Sequence, residues 1–497
     1  METKPAKKGH FFDKLKKSSQ IFAMKQIVKV LPHLSKKNLV GVMGIYERIA
    51  KGETKKIVTA LKNMLETSPA GDMILRDVKL MNANSRNTMA TALMAEGLIL
   101  RDEKRKAAEA RGETVPFTVL ISPTMRCNLR CVGCYAYNYD KQDDLSFEIM
   151  DRIVTEAEEM GVAFITILGG EPLMWEGLFP LLEAHPKMYF QFYSNGSLMT
   201  KEVAQKIAKL GNAAVMLSIE GFKEHTDERR GEGVYEKVLK AMDVLREEGI
   251  PFGYSVAVTS KNEPVIASDK FIDLMQEKGA IIGWYFLYMP VGKDPDLSLM
   301  PTPEQRVHLL EFDKYTRANK QVFIVDFWND APYVGGCIAG KFYIHITSNG
   351  DVEPCIFTHM AQDNIKEKSL RDVMQSPYFK KLRSMQPYNH NLYLPCQWID
   401  HPEISRQIQE EFKLRLTHPG ADDILIKPEL REGIDKYSAR VKELYTPIWE
   451  KDKESLPKPV YTSPCSPNLS GCGNCNHGHE ESVKKEDVVE DEVKETV

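Results

Sequence analysis

The chain has 497 residues, of which 42% are hydrophobic and 27% are charged, and its formal net charge is -4. This length is too great for one domain and suits about three, and the hydrophobic fraction supports buried cores. No apolar run approaches the roughly 20 residues of a transmembrane helix. The lysine-rich start also lacks the apolar stretch of a signal peptide. Nine cysteines in such a chain predict metal binding in a reducing, low-oxygen cytoplasm rather than disulfides.

Residues 1–114 are predicted to form a basic helical domain. Residues 1–65 carry fifteen Lys or Arg against four Asp or Glu, a net charge of +11. The first predicted helix covers His10–Leu31 and ends before Pro32. Its apolar side is flanked by lysines, which is typical of a helix lying on an anionic membrane surface. A helix packed on the rest of the protein with its lysines in water explains the same pattern. Further helices are predicted near 37–50, 54–66 and 86–97.

A short loop after the apolar run Phe117–Ile121 contains three cysteines: Cys127, Cys131 and Cys134. Their spacing is C-x3-C-x2-C. Three thiolates this close can hold three irons of a [4Fe–4S] cluster and leave the fourth iron open for a small molecule. A structural zinc loop is the alternative, but zinc normally takes four protein ligands, and only three cysteines lie in this loop.

Three more runs of β-branched and aromatic residues each lead into a polar or glycine-rich turn. The turns are Gly169-Gly170-Glu171-Pro172, Ser194-Asn195-Gly196 and Ser218-Ile219-Glu220-Gly221. Two further strands are predicted at Phe252–Val258 and Ile281–Tyr288. Predicted helices separate the strands, at 145–160, 174–185, 201–210, 232–248 and 264–279. Six strands alternating with helices indicate a parallel, barrel-like sheet whose chemistry collects at the carboxyl ends of the strands.

These motifs, in this order, resemble the radical S-adenosylmethionine (SAM) superfamily over roughly residues 115–300. The resemblance implies an α/β fold with a partial (β/α)6 barrel and a [4Fe–4S] cluster on the three cysteines. The segment His225–Gly231 is similar to the family's His-Asp-x-x-Arg-Gly segment with one residue shifted, so either of two arginines matches. The residues that would contact SAM are Tyr135, Gly169, Gly170, Glu171, Asn195, Ser218, Glu220, Arg229 and Arg230.

The chemistry of these residues suits SAM. An arginine would bind the SAM carboxylate, and the backbone at the two glycines would bond its amino group. Tyr135 offers an aromatic face to the adenine, and Ser218 and Glu220 suit the ribose hydroxyls. Glu171 is either a carboxylate partner or only a brace at the end of its strand.

Beyond a connecting helix and strand at 301–330, residues 331–405 are similar to the SPASM and twitch auxiliary-cluster modules. Cys337 and Cys355 flank a predicted hairpin around Asn349-Gly350, and Cys396 is the natural third ligand. The resemblance implies an auxiliary [4Fe–4S] cluster. The cysteines are fewer than in a full SPASM module, which favours one cluster over two. The fourth ligand stays open between Asp400, His401, a cysteine of the tail and none, and a module without metal is the alternative.

Two C-terminal segments complete the chain. Residues 406–455 are predicted to be helical. Residues 456–497 form a loop with Cys465, Cys472 and Cys475, followed by an acidic tail in which 479–497 hold eight acids against three lysines. The three cysteines could bind zinc, bind a third cluster, supply the missing auxiliary ligand or form a redox dithiol. The tail is predicted to be disordered.

The resemblance implies an enzyme that reductively cleaves SAM to a 5'-deoxyadenosyl radical, which takes hydrogen from an unactivated carbon. Ferredoxin or flavodoxin would supply the electron. The basic N-terminus favours a lipid or long acyl substrate, in the cytoplasm or at the inner membrane surface. A peptide- or protein-modifying maturase is the alternative, because auxiliary-cluster modules usually accompany such activity. A non-catalytic iron–sulfur electron carrier needs no SAM pocket, so the strand-end motifs argue against it. No nucleic-acid partner is expected.

Overall fold

The structure is a computed structural model that describes residues 30–49, 59 and 62–456. The predicted helix over 10–31 lies almost wholly outside the described residues. The tail cysteines Cys465, Cys472 and Cys475 and the acidic segment 479–497 also lie outside them. Within the described part of the chain, no helix is long and apolar enough to cross a membrane.

The N-terminal segment is helical, as predicted. Its elements are a 3-10 turn at Leu31–His33, α-helices at Lys36–Ile49, Pro69–Leu80 and Ala83–Thr88, a π-helix at Met89–Leu100 and an α-helix at Arg101–Glu109. The side chain of Asn82 caps one of these helices by accepting a hydrogen bond from the Ser85 N–H at 2.8 Å. The π-helix is apolar almost throughout and packs against Tyr189, Ala214 and Met216 of the barrel. The helical segment therefore closes one end of the barrel.

Seven parallel strands form the barrel sheet. They are β1 (Thr118–Ile121), β2 (Phe164–Ile167), β3 (Phe190–Ser194), β4 (Ala213–Ser218), β5 (Phe252–Val258), β6 (Ile282–Leu287) and β7 (Phe323–Asp326). They pair in chain order, each with the next. The six strands predicted from the sequence are confirmed, and the strand predicted in the connecting segment joins them as the seventh.

Helices cross between the strands. They are Phe147–Met160, Leu178–Ala184, Lys201–Leu210, Lys223–Arg230, Val234–Glu247, Glu263–Ile266, Asp269–Lys278 and Pro303–Asn319, with 3-10 turns at Pro172–Met174 and Leu297–Leu299. Local sequence fixes several helix starts, because Ser146, Thr200 and Ser268 each accept a hydrogen bond from a first-turn N–H. The helices bury the outward residues of the strands, such as Phe190, Phe192 and Val215, completely.

The predicted hairpin is present and extends the barrel sheet. Strand β8 (Tyr343–Ile346) pairs antiparallel with β9 (Asp351–Glu353) around Asn349-Gly350. On its other side, β8 pairs in parallel with β1, where Thr118 lies opposite Tyr343. The short strand β11 (Asp363–Asn364) completes the ten-stranded sheet, in the order β11-β9-β8-β1-β2-β3-β4-β5-β6-β7. The auxiliary segment is therefore joined to the barrel by backbone hydrogen bonds.

The remaining elements cover the hairpin. Strands β10 (Met360–Ala361) and β12 (Arg415–Leu416) form a separate two-stranded sheet. The helices are Ala331–Val334, Leu370–Met374, Pro377–Ser384, Pro402–Phe412, Asp423–Ile426 and Pro428–Asp452. The largest cluster of buried apolar residues continues from the barrel through Ile344, Val352 and Phe379 to Ile434. The barrel and the C-terminal half thus share one core.

Candidate functional site

The cysteine loop follows β1 and lies across the carboxyl ends of neighbouring strands. The N–H of Gly170 donates to the Thr124 carbonyl at 2.9 Å, and the N–H of Glu171 donates to the Arg126 carbonyl at 2.8 Å. Farther along, the Val132 N–H donates to the Arg229 carbonyl at 2.8 Å. Segments after β2 and β4 therefore hold the loop at the mouth of the barrel.

Glycine at position 170 is required by this close approach. A Cβ at Gly170 would lie 2.0 Å from the Arg126 carbonyl oxygen, and one at Gly169, where φ is +121°, would lie 2.2 Å from the Thr124 oxygen. The N–H groups of Gly170 and Glu171 are already occupied by the cysteine loop. What this turn can offer a ligand's amino group is its carbonyl oxygens, because an ammonium needs acceptors.

The three thiols of the loop lie close enough to affect one another. Burial, with smaller contributions from Glu171 and the two other thiols, raises the pKa of Cys127 to about 11. Burial also raises the pKa of Cys134, with an added contribution from Cys131. The Leu129 N–H donates to Cys127 Sγ at 3.4 Å, and Asn195 Nδ2 lies 3.8 Å from the same sulfur. Such donors stabilise a thiolate once it binds metal.

Glu171 braces the strand ends. Its carboxylate is fully buried and accepts hydrogen bonds from Ser194 Oγ at 2.9 Å, the Asn195 N–H at 2.8 Å and the Leu173 N–H at 3.2 Å. Burial raises the pKa of Glu171 to about 6, because these donors only partly offset the loss of water. Of the two roles considered from the sequence, the geometry favours the brace.

Two arginines share one carboxylate at the mouth. Glu220 is 1% exposed and accepts from Arg229 Nη1 at 2.6 Å and from Arg230 Nε at 2.7 Å. Its other oxygen accepts from the Ala257 N–H at 3.0 Å. One negative charge against two positive charges leaves a net positive charge beside the cysteine loop. That excess suits an anionic group such as an amino-acid carboxylate.

The other predicted SAM contacts lie at the same mouth. Ser218 Oγ, at the end of β4, lies 3.3 Å from Ser255 Oγ on β5. The Asn195 amide donates to Asn128 Oδ1 of the cysteine loop at 2.9 Å. Tyr135 follows Cys134 directly, and its ring makes an edge contact with Phe357 at a centroid distance of 5.9 Å. Tyr135 therefore lies between the cysteine loop and the auxiliary hairpin.

The second set of cysteines lies across Tyr135 from the first. Burial raises the pKa of Cys337 to about 12 and that of Cys355 to about 11, and it raises the pKa of Cys396 well above its usual value. The Cys355 thiol raises the pKa of Cys337, and the Cys337 thiol raises that of Cys396, so the three lie together. The Tyr343 hydroxyl donates to Cys355 Sγ at 2.9 Å.

The two residues considered as a fourth ligand are engaged elsewhere. Asp400 is fully buried, and one carboxylate oxygen accepts from Arg306 Nη1 at 2.6 Å while the other accepts from the Cys396 N–H at 3.0 Å. His401 Nε2 lies 3.0 Å from the Leu394 carbonyl oxygen. The Arg306–Asp400 pair thus positions the backbone of Cys396.

Both sets of thiols fit an iron–sulfur cluster. Within residues 30–49, 59 and 62–456, no three Cys, His, Asp or Glu side chains converge on one point as the ligands of a single ion must. The ligands of a [4Fe–4S] cluster bond different irons, so their thiolates need not meet at one point.

A buried polar network beneath the two sites was not predicted from the sequence. Glu353 is fully buried and accepts from the Tyr139 hydroxyl at 2.7 Å and the Thr417 hydroxyl at 2.6 Å. Its second oxygen lies 2.7 Å from His345 Nδ1, and His345 Nε2 lies 2.7 Å from Ser122 Oγ. The sequence feature that could have indicated this network is the pair His345 and Glu353, which occupy inward positions of the buried strands β8 and β9. The network fixes β8 and β9 against the start of the cysteine loop.

Comparison with known proteins agrees with this geometry. The family model of the radical SAM superfamily matches residues 121–265, and that of the SPASM iron–sulfur cluster-binding domain matches residues 337–397. Mycofactocin maturase MftC of Mycolicibacterium smegmatis is 30% identical over 299 residues, which are 56% of this chain and 74% of the relative. AdoMet-dependent heme synthase of Methanosarcina barkeri is 25% identical over 290 residues, covering 52% of this chain and 82% of the relative.

Solved structures share the fold. Streptococcus suis SuiB bound to S-adenosylmethionine matches with a TM-score of 0.51 at 20% identity, over 71% of this chain and 86% of SuiB. The radical SAM domain binds a [4Fe–4S] cluster and SAM, and the SPASM domain binds auxiliary iron–sulfur clusters. The chain belongs to the radical SAM superfamily, among the enzymes of that superfamily that carry a SPASM domain.

Proposed function

We propose that this enzyme uses SAM-derived radical chemistry to modify a peptide. The observation that carries the proposal is the meeting of two cysteine sets across one aromatic residue. Cys134 precedes Tyr135 in the loop, and Tyr135 packs against Phe357, two residues after Cys355. A substrate at the mouth would lie within reach of both sites.

The residues of the mouth divide the binding of SAM among them. Cys127, Cys131 and Cys134 would hold the SAM cluster, and Arg229 and Arg230 would bind the carboxylate with the positive charge that Glu220 leaves uncompensated. Carbonyl oxygens at Gly169 and Gly170 would accept from the amino group. Ser218 and Asn195 would contact the nucleoside, and Tyr135 would face the adenine. When bound, the cluster and SAM supply a radical able to take hydrogen from an unactivated carbon.

A second cluster on Cys337, Cys355 and Cys396 would accept an electron from the substrate or bind the substrate. Asp400 is held by Arg306 and by the Cys396 N–H, so it is a poor candidate for the fourth ligand. The predicted tail ligands Cys465, Cys472 and Cys475 lie outside the described residues. The source of the fourth ligand stays open between His401, these cysteines and none, with Asp400 the less favoured residue.

Two comparisons support a peptide substrate. MftC is named as a maturase, and a PqqA peptide cyclase of Granulibacter bethesdensis is 25% identical over 311 residues. The heme synthase shows that relatives of this chain also include an enzyme named for a different product. The lipid substrate expected from the basic N-terminus depends on residues 1–32, of which the structure describes only the last three. The peptide alternative is therefore the better supported one.

The test is anaerobic reconstitution of the full-length protein with iron and sulfide, followed by SAM and dithionite. We expect 5'-deoxyadenosine to form, and a pool of peptides to raise its yield and to change mass. Ferredoxin or flavodoxin should replace dithionite as the electron donor. Absence of 5'-deoxyadenosine from a protein with its full iron content would overturn the proposed chemistry.

Contact with a membrane is tested separately. Each basic residue near an anionic bilayer contributes roughly 1 kcal/mol, so removal of residues 1–32 should weaken binding to vesicles of phosphatidylserine and phosphatidylcholine. Equal binding by the full-length and shortened proteins would remove the support for the lipid interpretation.

A further inference from the structure

The inward face of the barrel encloses an open space, which we call the lumen. On β3, Phe190 and Phe192 are fully buried against helices, whereas Gln191 and Tyr193, on the opposite face, are only half-buried. Strand β6 alternates in the same way, with half-buried Ile282, Trp284 and Phe286 between buried neighbours. Partial exposure in the middle of a ten-stranded sheet means that these side chains line a solvent-accessible interior.

The lumen has a closed end and an open end. At the closed end, Met89 and Leu93 of the π-helix pack with Tyr189, Met216 and Trp284. At the other end, Tyr193 and Leu168 belong to the same apolar cluster as Tyr135, Cys337 and Cys355. A group that enters the lumen therefore passes between the two cysteine sites.

Aromatic rings form one wall of the lumen. The ring of Phe286 stacks on Phe327 at a centroid distance of 4.8 Å and an interplanar angle of 23°. Trp284 is nearly parallel to Phe286, at 6.4 Å and 12°. On the other side, Tyr193 makes an edge contact with Phe286 at 6.0 Å. These near-parallel, half-buried rings present flat faces on which another flat group can stack.

The lumen lacks charge on strands β1 to β6, and the charged pair on the same face of β8 and β9, His345 and Glu353, is fully buried and already partnered. The inward positions of β1 to β6 carry only apolar or uncharged polar side chains: Thr118, Leu120, Phe164, Thr166, Leu168, Gln191, Tyr193, Ala214, Met216, Ser218, Gly253, Ser255, Ala257, Ile282, Trp284 and Phe286. A charged group placed among them would lose its water without gaining a partner. This argues against a carboxylate-bearing tetrapyrrole and against an acidic or basic side chain.

We infer that the lumen binds an uncharged aromatic side chain of the substrate. The inference rests on the proposed function, since it names the part of a peptide that would enter the mouth. The side chain would stack against the rings of Trp284, Phe286 and Phe327. A phenol could bond the amide of Gln191, which already donates to the Tyr193 hydroxyl at 3.1 Å.

The test measures binding by equilibrium dialysis, without turnover. The full-length reconstituted protein, with SAM but without reductant, is dialysed against N-acetyl-tyrosinamide, N-acetyl-leucinamide or N-acetyl-glutamic acid α-amide. The tyrosine probe should bind most tightly and the anionic glutamate probe most weakly. The stacking variants Phe286→Leu and Phe327→Leu should weaken binding of the tyrosine probe about 3- to 10-fold, the usual effect of losing an aromatic contact. Phe179→Leu is the matched control, because Phe179 is also half-buried but lies on the crossover helix Leu178–Ala184, outside the barrel.

The outcomes separate this inference from the proposed function. Equal binding of the three probes, no binding of any probe, or equal weakening by Phe179→Leu would overturn the aromatic site. Formation of 5'-deoxyadenosine in the same preparations tests the SAM chemistry independently. It is measured on the unaltered protein without a probe, so failure of the aromatic site leaves its result untouched.

Discussion

The two cysteine sites of this enzyme differ in how the protein encloses them. Cys127, Cys131 and Cys134 lie on an irregular loop at the barrel mouth, where backbone hydrogen bonds from neighbouring strand ends hold the chain. Cys355 is 9% exposed and packs with Ala339 and Ile356, covered by the C-terminal half. The first site is built for a small molecule to enter and leave. The second is built into a shared core, so its integrity and that of the fold are linked.

Because the mouth site lies outside the shared core, loss of its cysteines should abolish SAM cleavage and leave the fold and the second site intact. Replacement of Cys127, Cys131 or Cys134 by Ala should eliminate formation of 5'-deoxyadenosine, because each thiolate holds one iron of the SAM cluster. Iron bound at the second site should remain. The measurements are product analysis and iron content under anaerobic conditions. Undiminished formation of 5'-deoxyadenosine in any one variant would contradict the assignment of that cysteine as a ligand of the SAM cluster.

Loss of the cysteines of the buried site should have the opposite effect on SAM cleavage, which should survive. Replacement of Cys337, Cys355 and Cys396 together should lower iron by about four atoms per chain, while SAM cleavage survives and product formation stops. Iron analysis and the 5'-deoxyadenosine assay check this, and circular dichroism confirms folding. Iron content equal to that of the unaltered protein would show that the module carries no cluster.

The Arg306–Asp400 pair tests whether the second site depends on the fold. Asp400→Asn should destabilise the protein by about 3–5 kcal/mol, because it leaves the fully buried Arg306 without its counter-charge. The double variant Arg306→Met, Asp400→Leu should lose less stability than the single variant. Denaturant unfolding measures both. A fall in iron without a fall in stability would instead identify Asp400 as a ligand.

The brace at the mouth predicts a pH effect on stability. Burial raises the pKa of Glu171 to about 6 in the folded protein, above the usual value near 4.3. The folded state therefore favours the protonated form, and its stability relative to Glu171→Gln should fall as pH rises from about 4 to above 6. The expected change is about 2 kcal/mol. Unfolding of the cluster-free protein over this pH range measures it, and parallel curves for both proteins would contradict a raised pKa of Glu171.

Local patterns in the sequence predicted the elements but not how distant ones meet. The strand Phe252–Val258 has the predicted bounds, and the Asn349-Gly350 hairpin is confirmed, since both depend on neighbouring residues. The pairing of Thr118 with Tyr343 joins residues far apart in the chain, and no periodicity specifies it. The sequence leaves Asp400 open as a ligand of the second cluster. Its partner Arg306 lies in a distant helix that the sequence does not connect to it.

The central claim is that the two cysteine sites hold separate clusters and that only the mouth cluster meets SAM. Electron paramagnetic resonance of the dithionite-reduced, full-length protein tests it most directly, with and without SAM. We predict two cluster signals, of which one changes when SAM is added and is absent in Cys131→Ala, while the other is unchanged. A single signal, or two signals that are both indifferent to SAM, would contradict the account.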